Sequence, residues 1–116
     1  MSNPNEKGSF EERWKKLERK LQDQFHQKPT IEAILYLIGI NEFKGQIPQN
    51  GFTKEQKEDL MHVAVCTLLS KEGYYQFTNY DQDGWPHFET LKSFDLKDVK
   101  KQEEVLMIQI LDYLDF

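Results

Sequence analysis

The sequence predicts a mainly α fold: a four-helix, bundle-like single domain with a short β-hairpin or ordered aromatic loop between helices 3 and 4. Three observations predict it. Four stretches carry apolar residues at three- and four-residue steps, or on nearly every side. Two of them open with a hydroxyl residue followed three positions later by Glu or Gln, which is the capping-box pattern. Between residues 74 and 90 the helical spacing stops, and aromatic residues flank an acidic turn.

Residues 1–9 read as a flexible tail. Ser9 and Glu12 then open a helix over about 10–27, with Phe10, Trp14, Leu17, Leu21 and Phe25 on one narrow stripe. Pro29 breaks it, and Thr30 can cap the next. Residues 31–43, IEAILYLIGINEF, are apolar on nearly every side, which predicts a helix enclosed all round or lying in a subunit interface. Gly39 weakens that helix by about 1 kcal/mol relative to alanine, unless close packing requires it. Residues 44–51 form a loop.

The central stretch is TKEQKEDLMHVAVCTLLSKEG. Thr53 and Gln56 make the second capping box, Gly73 supplies the left-handed stop, and a helix follows over about 54–72. Leu60, Met61, Ala64, Val65, Leu68 and Leu69 share its apolar face. Tyr74, Tyr75, Phe77, Tyr80, Trp85 and Phe88 then surround the turn residues 81–84, predicting a hairpin over about 74–90. Pro86 restricts the second run to an edge strand. Asp95 can cap a last helix over about 96–114, whose second half is apolar nearly all round.

Composition bounds the function. The net charge is −5, with seven basic and five acidic side chains in residues 1–29 and eight and fifteen in the remainder. That balance argues against nucleic acid or an anionic membrane as partner. The longest unbroken apolar run, residues 33–38, falls far short of the roughly 20 residues of a membrane span. A single cysteine cannot form an intrachain disulfide, and MSNPNEKGS has no apolar leader core, so a cytoplasmic location is expected.

Three groups of residues carry possible chemistry. Glu58, His62 and Cys66 lie in one row of the third helix, and Asp59 stands three residues before His62, a spacing used by carboxylate–histidine metal sites. Such a site needs further ligands, for which Glu32, Glu42 and His26 are available. The ordinary reading is a buried structural cysteine beside a surface histidine. The second group is Asn79, Asp81 and Asp83, which match positions 1, 3 and 5 of a calcium loop aligned on Gly84. Thr90 replaces the bidentate glutamate of that loop, and Pro86 stands where it wants an apolar strand residue. The third is Tyr80, Trp85, His87 and Phe88, a possible ligand pocket or, more simply, an aromatic lid.

The pattern holds no phosphate-cradling glycine loop, nucleophile elbow or paired-cysteine motif. It predicts a small non-enzymatic protein-interaction or regulatory module without a cofactor. The rival is a small enzyme or metal-binding protein working at His62, Cys66 and the hairpin. The second half of the last helix, or the helix at 31–43, offers more apolar surface than a small monomer covers, so a homodimer is expected.

Overall fold

The computed structural model describes residues 8–93 and 99–116. The elements are α1 (Phe10–Phe25), α2 (Ile31–Glu42), α3 (Lys54–Ser70), β1 (Tyr75–Tyr80), β2 (Pro86–Thr90) and α4 (Val99–Tyr113). Most of the expected tail, the Asp95 cap and the first turn expected of the last helix lie outside the described residues. The fold is mainly α with one small antiparallel sheet. The helices pack as two pairs, α1 with α4 and α2 with α3. The chain groups into two compact units: one holds α1 and α4, the other, Ile31–Leu96, holds α2, α3 and the hairpin.

In the first unit the Ser9 hydroxyl accepts the Glu12 N–H at 3.3 Å and starts α1. Leu17 and Leu21 of the predicted stripe are buried. Phe10 and Trp14 stack at 6.4 Å, while Phe25 stays half exposed at the end of the helix. The helix stops at Phe25, two residues early. His26 takes the left-handed conformation (φ 60°), and its N–H closes on the Gln22 carbonyl at 2.7 Å. Helix α4 buries Gln109, Ile110 and Leu111. It ends in a Schellman closure around left-handed Asp115: the Asp115 N–H reaches the Asp112 carbonyl at 3.3 Å and the Phe116 N–H reaches the Leu111 carbonyl at 2.9 Å. Arg13 of α1 grips that closure. Its Nε donates to the Phe116 carbonyl at 2.8 Å and its Nη2 to Asp112 Oδ1 at 3.2 Å.

In the second unit α2 and α3 meet at Gly39. A Cβ built there would lie 2.1 Å from the Leu60 carbonyl oxygen, so close packing does require this glycine. Helix α2 buries Ile34, Leu35, Ile38 and Gly39 but leaves Leu37 39% exposed, so it is not enclosed on every side. Its wet face carries Glu32, Ala33 and Asn41 along with Leu37. In α3 both arms of the capping box form: the Gln56 N–H donates to Thr53 Oγ1 (3.1 Å) and the Thr53 N–H to Gln56 Oε1 (2.9 Å). Leu60, Val63, Ala64, Cys66, Leu68 and Leu69 are buried there. Met61 and Val65, expected on the apolar face, are half-buried instead. The arc is wide because α3 packs against α2 and also against the hairpin. After Ser70, Gly73 turns with φ +81° and Tyr74 N–H returns to the Leu69 carbonyl, which aims the chain into β1.

The hairpin pairs Tyr75 with Thr90, Gln76 with Glu89, Phe77 with Phe88, Asn79 with His87 and Tyr80 with Pro86. Thr78 is a bulge in this ladder, and its hydroxyl donates to the His87 carbonyl at 3.1 Å. The extra residue reverses the alternation of side chains. Phe77 and Tyr80 therefore share a face, with ring centroids 5.0 Å apart.

Candidate functional site

Asp81 builds the hairpin tip. One carboxylate oxygen, Oδ1, accepts the Asp83 N–H (2.9 Å) and the Trp85 N–H (3.0 Å). The other, Oδ2, meets His87 Nε2 at 2.8 Å. The Gly84 N–H bonds to the Asp81 carbonyl, and the Asp81 N–H bonds to the Trp85 carbonyl. The His87 hydrogen bond, then the Trp85 N–H, hold the Asp81 carboxyl below its ordinary value.

The tip sits on the loop after α2. The Lys44 N–H donates to the Gly84 carbonyl at 2.9 Å. A Cβ on Gly84 would stand 2.1 Å from Gly45 N, and one on Gly45 1.9 Å from the Asp83 carbonyl oxygen. Two glycines are needed because backbone touches backbone here. Trp85 is the anchor. Its ring lies 4.9 Å from Phe43 and 6.4 Å from Phe52, and Phe52 also meets Phe43 and Tyr36 edge-on. Beside this cluster opens a cleft of about 700 Å³, lined by Phe43, Phe52, Tyr80 and Trp85, with Lys44, Gln46, Gln56, Asp81 and Asp83 among its polar residues.

Of the residues predicted to form a pocket, Tyr80 and Trp85 line this cleft. His87 projects from the other face of the hairpin and is tied to Asp81. Phe88 joins a second ring group, 5.9 Å from Phe77, on the same face as Tyr80. The sequence reading did not include Phe43, Lys44, Gly45 and Phe52 in the site. The glycines at 45 and 51 and Pro48 marked a loop there, but nothing local tied that loop to the hairpin.

The calcium-loop residues do not converge. Both Asp81 oxygens are taken by the tip itself. The Asn79 amide donates to the Tyr80 carbonyl. Thr90 stands at the far end of β2, opposite Tyr75.

On α3, His62 Nε2 and Cys66 Sγ are 3.5 Å apart, and the His62 ring meets Tyr75 edge-on at 6.5 Å. Burial pushes the Cys66 thiol from 9.0 up to about 11, so it is protonated at neutral pH and is not a thiolate nucleophile there. Burial, and then Cys66, push the Tyr75 hydroxyl up. Glu58 and Asp59 are exposed on the same helix, Glu32 and Glu42 lie on α2, and His26 caps α1. Among the described residues no three His, Cys, Asp or Glu side chains gather as a metal ion needs.

A shallow groove of about 520 Å³ runs along α1 beside Lys15, Lys16, Arg19 and Lys28. Glu12 and Glu18 share it, and Lys28 lies 3.7 Å from Glu18. This is a mixed, solvated helix face. No described helix is long and apolar enough to cross a membrane. No family model, no curated protein and no solved structure matches the chain.

Proposed function

We propose that the chain is a non-enzymatic protein-interaction module that works as a homodimer. The observation that carries this reading is the set of large apolar side chains exposed on ordered elements. Phe77 is 45% exposed and Tyr80 39%, on a hairpin held by its ladder and by the docked tip. On α4 Ile108 is 43% exposed, and Val105, Leu106 and Met107 just before it are half-buried. Ordered apolar surface of this kind suits a protein contact. In this reading α4 supplies the self-association surface, and the hairpin face with its cleft meets a partner. Sedimentation at micromolar concentration tests it. A dimer weakened by Ile108→Lys is the expected result, and a 13.9 kDa monomer throughout that range overturns it.

A second reading, a small enzyme or metal-binding protein at the α3–hairpin junction, rests on the His62–Cys66 contact, beside which no third ligand gathers among the described residues. Metal analysis of protein purified without an affinity tag tests it. Stoichiometric zinc lost on His62→Ala would establish that reading in place of the first.

A further inference from the structure

We propose that the cleft between the loop after α2 and the hairpin tip receives an arginine side chain presented by a peptide partner. This deepens the interaction-module reading and rests on it.

The cleft is built in advance. The Gly45–Gly84 backbone contact and the Lys44–Gly84 hydrogen bond fix its two walls against each other. Within the lining the rings of Phe43, Phe52 and Trp85 pack against one another at 4.9 to 6.4 Å. A ligand therefore meets walls that need little ordering on binding.

The chemistry of the lining selects the ligand. Among the described residues its lining includes four aromatic side chains, Phe43, Phe52, Tyr80 and Trp85, and two carboxylates, Asp81 and Asp83. Aromatic faces carry negative electrostatic potential and attract a cation within about 6 Å of the ring centre. Asp81 is ionised at neutral pH, although its oxygens are occupied by the tip. Asp83 uses its backbone N–H toward Asp81. Among the described residues its carboxylate accepts no hydrogen bond and joins no ion pair. Among the described residues of the lining Lys44 is the one basic side chain, against Asp81 and Asp83, so their formal charge is negative.

A guanidinium suits these groups better than an ammonium. It is flat and weakly hydrated, it stacks on an indole or phenol ring, and its fork of N–H groups matches a carboxylate. A volume of about 700 Å³, open to solvent, has room for that side chain and the backbone that carries it. An apolar side chain would bury the rings equally well but would form no ion pair with Asp83.

The test uses the full chain and two short capped peptides, Gly-Gly-Arg-Gly-Gly and the same sequence with norleucine for arginine. Binding is followed by calorimetry and by the indole N–H resonance of Trp85, assigned by its loss in Trp85→Phe. The expected result is a Trp85 shift with the arginine peptide and binding at least five-fold tighter than the norleucine peptide. Asp83→Asn, a change at an exposed side chain, should weaken the arginine peptide at least five-fold, and added salt should weaken it in parallel. Equal binding of the two peptides overturns the proposal, as does indifference to Asp83→Asn or an unmoved Trp85. None of these results bears on self-association, so they are separable from failure of the module reading, which sedimentation decides.

Discussion

Gly39 of α2 lies against the backbone of Leu60 in α3, so close that a single added Cβ would fall 2.1 Å from the Leu60 carbonyl oxygen. Alanine would favour the isolated helix by about 1 kcal/mol. The clash opposes that gain and is the larger effect, because the obstacle is backbone and cannot swing away. Gly39→Ala is therefore expected to lower stability by roughly 1–3 kcal/mol, the usual cost of overpacking. Urea unfolding checks it; an unchanged or raised midpoint would show that the two helices can part freely.

The Asp81–His87 pair sets a pH limit on the hairpin tip. Asp81 is held below its ordinary 3.8, mainly by the His87 hydrogen bond and then by the Trp85 N–H. Its folded value lies below its unfolded one, so its contribution is complete above 3.8 and is lost as pH falls through the lower folded value. The Trp85 indole resonance should move as pH falls below 3.8 and Asp81 takes up its proton. Asp81→Asn keeps an acceptor for the two backbone N–H groups and should remove this dependence. Asp81→Ala should loosen the tip at every pH.

Calcium should leave the same tip unchanged. A bound ion would compete with His87 for Asp81 Oδ2, and Thr90 stands at the far end of β2. Calorimetry with millimolar calcium is expected to show no saturable heat. A micromolar dissociation constant abolished by Asp83→Ala would contradict this.

Cys66 should behave as a buried thiol. Its value is raised from 9.0 to about 11. Below 9.0 both folded and unfolded chains keep the proton and the stabilisation is complete. As pH rises toward 11 only the unfolded chain ionises, and stability falls. Native protein at pH 8 should react slowly with a disulfide reagent, and stoichiometrically at once in urea. Cys66→Ala should flatten the alkaline loss of stability. Fast labelling without denaturant would count against the burial.

Arg13 is expected to matter more than its partner Asp112. Arg13 closes two hydrogen bonds onto the end of α4, one of them to the Phe116 carbonyl. The Arg13–Asp112 ion pair itself, at 3.2 Å with Asp112 38% exposed, is screened by solvent and adds little. Arg13→Ala should cost roughly 1–2 kcal/mol and Asp112→Asn well under 1. Thermal unfolding of both variants checks the order, and a larger loss for Asp112→Asn would reverse the assignment.

What the sequence by itself determined was what adjacent residues decide. The N-termini of α1 and α3 were legible because Ser9 and Thr53 bond to backbone three positions away. The hairpin was legible because Asp81 and Gly84 close their own turn. The stop after α3 was legible because Gly73 takes a conformation that suits glycine. Tertiary structure alone decided the rest. The helices pair α1 with α4 and α2 with α3, choices that depend on side chains tens of residues apart. On α2 the exposed residues include Glu32 and Asn41, but Leu37 among them is as apolar as the buried Ile34, Leu35 and Ile38. The bulge at Thr78, which brings Tyr80 beside Phe77, shows in no local pattern of the strand. The cleft required Phe43 and Trp85, forty-two positions apart in the chain, to meet at 4.9 Å. Such a contact depends on how the intervening helix places both ends, so no window of neighbouring residues carries the information.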